Sequence, residues 1–341
     1  MANEVDEEEV VGRGGADEGG VRGINDSDNK AQSLINLTNS ITTIILSIVA
    51  IGGLVFTART FNSTNEQIRL AEQGQITERF SSATVNLGSD QVAVRLGAIF
   101  SLERLARDSP ADQSVIMETL SAFIRQNSST RDGNCVTPRF IADGAGTVRL
   151  YPDGMVPEPK SDSQAAISVI GRRNTNFDSS VELDLTDSCL VNFSLKGNFA
   201  RVDFSRSNLS FVGAIGTDFS CADLGVSTLQ YAVISESNLT GASFQGSDLT
   251  EAVADGANFN STNLMLTTLT RTALFGAKMR HVNFIGANAE AAKMVESTNI
   301  GGDKLAPAEL DEIFYSPETK WPAELSPPAS LEWDKWSEGV C

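Results

Sequence analysis

From Phe199 to Met294 an apolar residue recurs at every fifth position, twenty times in succession. A helix repeats at 3.6 residues and a strand at 2, so strict fives belong to neither and mark a repeat architecture. Two residues before the centres the side chain is small, as at Ser207, Thr217, Ala222, Ser227, Ala232, Ser237, Ala242, Ser247, Ala257 and Thr262. Both positions are expected to point inward, because paired large and small residues fill a narrow interior without voids. Leu185, Leu190 and Leu195 extend the pattern upstream, but the step from Leu195 to Phe199 is four, which predicts a deletion or a register slip.

The N-terminal third has other periods. Residues 1–33 are rich in Gly, Asp and Glu and read as a disordered acidic tail. No charged residue lies between Lys30 and Arg59, and residues 34–56 form an apolar run of 23, against the ~20 needed to cross a bilayer as a helix. A single transmembrane helix is predicted there. A secretory signal and a buried core helix compete with it, the first weakened by the long acidic segment ahead of the run. Asn36, Ser40, Thr43 and Ser47 share one helical face, a stripe that in lipid favours homo-oligomer contacts or, for Asn36 and Ser40, residence among headgroups.

Helical spacing resumes over residues 57–130. Ser89 or Asp90 is expected to cap a helix ending near Asp108, with Val92, Leu96, Ile99, Leu102, Leu105 and Ala106 on its apolar face. Ser109 and Pro110 then restart the chain, with Ile116, Leu120, Phe123 and Ile124 as the next stripe, so the two helices pack as a hairpin. Gly and Pro crowd residues 131–162, which predicts a linker, and a cap helix is expected within 163–180.

Segments such as CADLG at 221–225, SNLTG at 237–241, SDLTE at 247–251 and GANFN at 256–260 resemble the pentapeptide-repeat family and its A(D/N)LXX pattern. The resemblance implies an all-β repeat solenoid over residues 181–296, a right-handed quadrilateral β-helix with four repeats per coil. Residues twenty apart should then stack, with Phe204, Leu224, Phe244, Leu264 and Phe284 in one column. About six coils would span roughly 30 Å at ~4.8 Å each. Residues 74–126, 165–173 and 313–322 look like the helical prefix, linker helix and end cap of bacterial membrane-associated members, so the resemblance covers most of residues 60–322. Open coils need covered ends. The helix at 163–173 is expected to serve one end, and a short helix over 307–315 with Trp321, Trp333 and Trp336 the other, inside a C-terminal cap and tail at 297–341.

Charge and chemistry narrow the function. The net charge is −18, but no basic stripe is present, so direct nucleic-acid binding is not expected. Cys135, Cys189, Cys221 and Cys341 have no ligand spacing, and with His281 as the single histidine neither a metal site nor a cofactor is expected. The cysteines read as reduced thiols. His281 falls on an outward position. Asp218 and Asp223 belong to an outward ladder of Asp and Asn that keeps the repeat soluble, so no catalytic residue is assigned and the chain is not expected to be an enzyme. The expectation is a single-pass cell-membrane protein, in contact with the bilayer through 34–56, whose repeat domain lies in the cytoplasm and binds a protein partner. The alternative implied by the family is a DNA-mimicking modulator of a type II topoisomerase such as gyrase. A ~30 Å stretch of duplex carries roughly 17 phosphates, whereas residues 181–296 hold twelve acidic and seven basic residues.

Overall fold

The computed structural model describes residues 22–131, 135, 141–142, 148–149, 156–178, 183–294, 297–298, 304–305 and 308–331. The chain forms two compact units, Met1–Gly74 and Gln75–Cys341. The first is built on helix α1 (Arg22–Leu87). This helix starts inside the segment expected to be a disordered tail, whose first 21 residues lie outside the described residues. It is long and apolar enough to cross a membrane, and the described side chains from Asn29 to Gln75 are all exposed. Ser40, Thr43 and Ser47 each donate a hydroxyl hydrogen bond to the carbonyl four residues back, at 2.8 Å. Their polarity is thus satisfied within their own helix.

In the second unit the end of α1 turns Ile76, Phe80, Ala83 and Leu87 into the core. Helices α2 (Val92–Asp108) and α3 (Gln113–Asn127) pack on each other, and α4 (Ser161–Gly171) packs on both. The cap of α2 falls at Gln91, with Ser89 Oγ accepting from the Gln91 N–H at 3.2 Å. Ser109 and Pro110 open a separate 3₁₀ turn, Pro110–Asp112, rather than α3 itself. Of the expected apolar face of α2, Ile99, Leu102, Leu105 and Ala106 are buried, while Val92 is exposed. Arg95 Nε meets the buried Asp162 at 2.6 Å and ties α2 to α4. Within the linker a two-residue hairpin pairs β1 (Ile141–Ala142) with β2 (Val148–Arg149).

From Asp184 onward the backbone returns to hydrogen-bonding register once per coil. Asp184, Cys189 and Ser194 bridge Asp203, Asn208 and Gly213, nineteen residues on, and every later bridge from Asn198↔Asp218 to Ala273↔Lys293 spans twenty. The short first coil is the deletion predicted between Leu195 and Phe199. At that point Gly197 has φ +104°, and a Cβ on it would lie 2.1 Å from the Gly171 carbonyl oxygen. Only glycine permits that approach.

Ahead of Lys278 the coils meet through single parallel bridges rather than continuous strands, and the first regular strand among them is β3 (Lys278–Arg280). The reason is local. Most centres accept a turn hydrogen bond from the N–H three residues on, such as Ser207 N to Phe204 O at 3.1 Å. The second residue after the centre takes a left-handed φ, for example Arg206 at 60° and Tyr231 at 61°. Corners that tight leave too few extended residues per side for a ladder. The interior is dry: Phe204, Phe244, Leu264 and Phe284 are fully buried, and Leu224 is 2% exposed. Small inward hydroxyls reach the coil behind, as Ser237 Oγ to Ala214 O at 2.6 Å and Thr262 Oγ1 to Leu239 O at 2.8 Å.

The Asp and Asn ladder has a structural role that the sequence reading did not assign to it. Asp203, Asp218, Asn238, Asp248 and Asn263 each accept the backbone N–H two residues on. These side chains hold the corners. Asp218 and Asp223 cap separate corners and do not form a carboxylate pair.

Both ends of the stack are closed. At the first coil Ser129 bridges Ser188 antiparallel, and the Gln164 amide accepts from Ser194 N and donates to Ser194 O, both at 2.9 Å. That amide stands in for a missing strand. The Gly171 carbonyl accepts from Asn198 N at 2.8 Å, and Arg173 donates to Asn198 O at 2.5 Å. At the other end the expected helix over 307–315 is absent. Its place is taken by strand β6 (Glu309–Asp311), parallel to β3, because the open edge there offers unpaired backbone groups. Phe314 and Lys320 continue the coil against Asn283 and Asn288. The hairpin β4 (Ser297–Thr298) and β5 (Lys304–Leu305) precedes it. Trp321 covers Phe284 with ring centroids 5.1 Å apart, and Tyr315 meets Trp321 edge-on at 5.4 Å. Trp333 and Trp336 lie outside the described residues.

The cysteines correct the expectation of free thiols. Cys135 and Cys189 form a disulfide, and Cys221 is disulfide-bonded as well. Geometry decided this where spacing did not: the first coil brings Cys189 beside Ser128, just before the segment that holds Cys135. Cys341 lies outside the described residues.

Two measurements check this fold. Phe244→Asp is expected to lose at least about 4 kcal/mol, enough to unfold or aggregate the coils, whereas exposed Gln245→Asp should stay within about 0.5 kcal/mol of the parent in thermal melts. The Cys135–Cys189 bridge spans 54 residues, a loop worth about 4 kcal/mol in chain-entropy terms. Cys135→Ser with Cys189→Ser should therefore lower the Tm of the second unit, and an unchanged Tm would show that the bridge constrains nothing.

Candidate interaction surface

The residues one before each centre build four columns along the sides of the coils, most of them half-buried and Asn208, Ala273 and Asn283 buried. Three columns carry the corner-holding Asp and Asn: Asp203, Asp223 and Asn263 in one, Asn208, Asp248 and Asn288 in the next, and Asp218, Asn238 and Asn258 in another. The remaining column is Gly213, Val233, Val253 and Ala273. It holds no polar side chain over those four coils until Lys293 ends it. Val233 and Val253 are half-buried.

The corner on one side of this face stacks Phe211 on Tyr231, with ring centroids 5.0 Å apart and planes 11° from parallel. Glu251 and Arg271 continue the corner as an ion pair. Burial pushes the Tyr231 hydroxyl up to about 12, so it stays protonated at neutral pH. On the other side Ile215 is 61% exposed, and Asp255, whose carboxyl burial raises, accepts from Phe275 N at 3.0 Å. Near its last coil the face runs into an open groove of about 1000 Å³ bounded by Phe275, Lys293, Lys320 and Trp321. A second exposed aliphatic corner, Val226 and Leu266, alternates with Gly246 and Gly286. A Cβ at Gly286 would meet Leu266 Cδ2 at 2.7 Å.

No residue of this face was singled out from the sequence. The signal was there at a spacing of twenty, as the fourth repeat in which Asp or Asn gives way to Gly, Val, Val and Ala. The residues that were weighed for chemistry lie elsewhere. His281 occupies a left-handed corner at φ 56° and sits 2.7 Å from Glu312 Oε2, which Arg280 also holds at 2.8 Å. Arg280 and His281 draw the Glu312 carboxyl below its ordinary range. The arrangement fastens the terminal coil to the one before it. Among the described residues no cluster of His, Cys, Asp and Glu has the makings of a metal site.

Residues 232–271 match the sequence pattern of pentapeptide repeats in eight copies, and such repeats imply a right-handed β-helix. No curated protein matches the chain. Among solved structures, a pentapeptide-repeat protein of the Arabidopsis thaliana thylakoid lumen is 28% identical, over 26% of this chain and 66% of that one, with a TM-score of 0.23. HetL, a pentapeptide-repeat protein of Nostoc involved in heterocyst differentiation regulation, is 22% identical over 39% of this chain and 68% of its own, with a TM-score of 0.19. QnrB1, a plasmid-mediated fluoroquinolone resistance protein, is 14% identical over 35% of this chain and 78% of its own, with a TM-score of 0.13. The chain thus spans just under two thirds of the first of these structures.

Proposed function

We propose that this chain is a membrane-anchored interaction protein that presents the Gly213–Val233–Val253–Ala273 face of its pentapeptide-repeat coils to a protein partner. The observation that carries the reading is the loss of Asp and Asn from one face of four. Those residues hold corners elsewhere in the coils, so giving them up there costs local stability and leaves an apolar strip beside Phe211, Tyr231 and Arg271. Aromatic and arginine side chains around a dry centre are the composition of a protein contact. The role is binding rather than catalysis.

Residues 34–56 supply the anchor, since their exposed apolar side chains need lipid or a partner to cover them. The disulfides favour the oxidising side of that membrane for the repeat domain, because such bonds persist outside the cytosol and are rare within it. This reading departs from the expected cytoplasmic placement, for which free thiols were one of two supports. An uncharged face is a poor imitation of a phosphate backbone, so the DNA-mimic alternative gains nothing from the surface.

The test uses the full chain in membranes. It should resist alkaline carbonate extraction, and release by carbonate would remove the anchor. Val233→Asp with Val253→Asp restores the residue type used on the other faces, so the Tm should hold or rise. A partner crosslinked to the parent chain should be lost from this variant and kept by Thr228→Asp with Thr268→Asp on the neighbouring face. The opposite pattern would move the contact off the proposed face.

A further inference from the structure

Helix α1 is unbroken from Arg22 to Leu87, and over its exposed length one face carries a pattern longer than the span. Ser40, Ser47, Leu54, Phe61 and Ile68 recur every seven residues. Asn36, Thr43 and Ala50 precede the first, second and third of them by four residues, the spacing of the alternate positions in a heptad. Within the apolar run the seam is small apart from Leu54, and beyond it the large Phe61 and Ile68 alternate with Thr57, Thr64 and Ala71. Phe61 and Ile68 lie five and twelve residues past Phe56, yet are 65% and 52% exposed. Four charged residues occur between Ala31 and Gln75, namely Arg59, Glu66, Arg69 and Glu72, and none of them falls on the seam. Arg59 and Glu66 occupy the heptad position on the far side of the helix.

We propose that α1 pairs in parallel with α1 of a second copy of this chain, along the seam Ser40–Ser47–Leu54–Phe61–Ile68. The inference rests on the membrane-anchored reading for its orientation and on the heptad for its geometry. A period of seven, shorter than two helical turns, is the signature of a left-handed supercoil with another helix. Two copies in one bilayer share orientation and depth, so each seam residue faces its own counterpart without any shift of register. The hydroxyls of Ser40, Thr43 and Ser47 are bonded within the helix, so inside the bilayer these residues act by allowing close approach rather than by hydrogen bonds between helices. Outside it Phe61 and Ile68 gain the burial that water denies them. The absence of charge along the seam removes the repulsion that identical chains would otherwise meet.

Cysteine crosslinking of the full chain in native membranes tests the pairing. Phe61→Cys and Ile68→Cys should give, on oxidation with copper phenanthroline, a band at twice the monomer mass on a non-reducing gel. Arg59→Cys and Glu66→Cys, and the parent chain, should remain monomeric. Equal crosslinking at all four positions, or none at 61 and 68, would overturn the seam. Carbonate washing of the same membranes separates the two readings. Retention without a periodic dimer keeps the anchor and removes the pairing, and release with the periodic dimer does the reverse.

Discussion

The parallel backbone bridge between residues twenty apart is the constraint on which the rest of the repeat domain depends. It requires every corner to turn within two residues, so a left-handed residue follows each centre and an Asp or Asn side chain holds most corners in place. It also fixes the interior, since a centre can stack only on the centres one coil before and after it. Each coil is too thin to bury its own core, and stability comes from neighbours. The same ladder creates the main hazard of the fold, because the first and last coils would expose unpaired backbone. The chain answers with a different device on each side of the first coil: an antiparallel bridge from Ser129, the Gln164 amide, and the Gly171 carbonyl with Arg173. At the far end it adds β6, Phe314 and Lys320, then a lid of Tyr315 and Trp321.

What the sequence revealed was whatever repeats. The period of five named the inward centres from Phe204 to Phe284, and the missing residue after Leu195 located the short coil. Helical spacing found the buried stripe of α3, where Ile116, Leu120 and Ile124 are fully buried. What it hid depends on chain closure. Nothing in residues 307–315 marks a strand apart from the open edge that recruits it, so a helix looked equally good. The Cys135–Cys189 bridge joins residues whose proximity comes from the first coil docking on the helical region, which no spacing rule encodes. The apolar face was written in the sequence, but as an exception at every fourth repeat, visible only once the coil length of twenty is taken as the unit.

These elements divide the work of the molecule. The coils make a surface whose outward residues, apart from the Asp and Asn that hold corners, can change more freely than the inward ones on which stability rests. One face has used that freedom to become apolar. The helical unit α2–α4 closes the first coil and is pinned by Arg95, Asp162 and the disulfide. Helix α1 provides the apolar length near the N-terminus, with its own exposed seam. The two proposed contacts rest on the same rule, that apolar surface in a regular pattern is area awaiting a cover.

The central claim, a stack in which twenty residues are the unit of register, is tested most directly by removing one unit. Deleting residues 225–244 joins Leu224 to Gln245, which removes one whole coil and keeps the remaining columns in register with both end closures intact. Deleting residues 226–244 removes nineteen and shifts all downstream centres by one place. Circular dichroism melts of the two variants should show a cooperative transition near that of the parent for the first and loss of that transition for the second. Equal melting of the two variants, or loss of folding in both, would contradict the account.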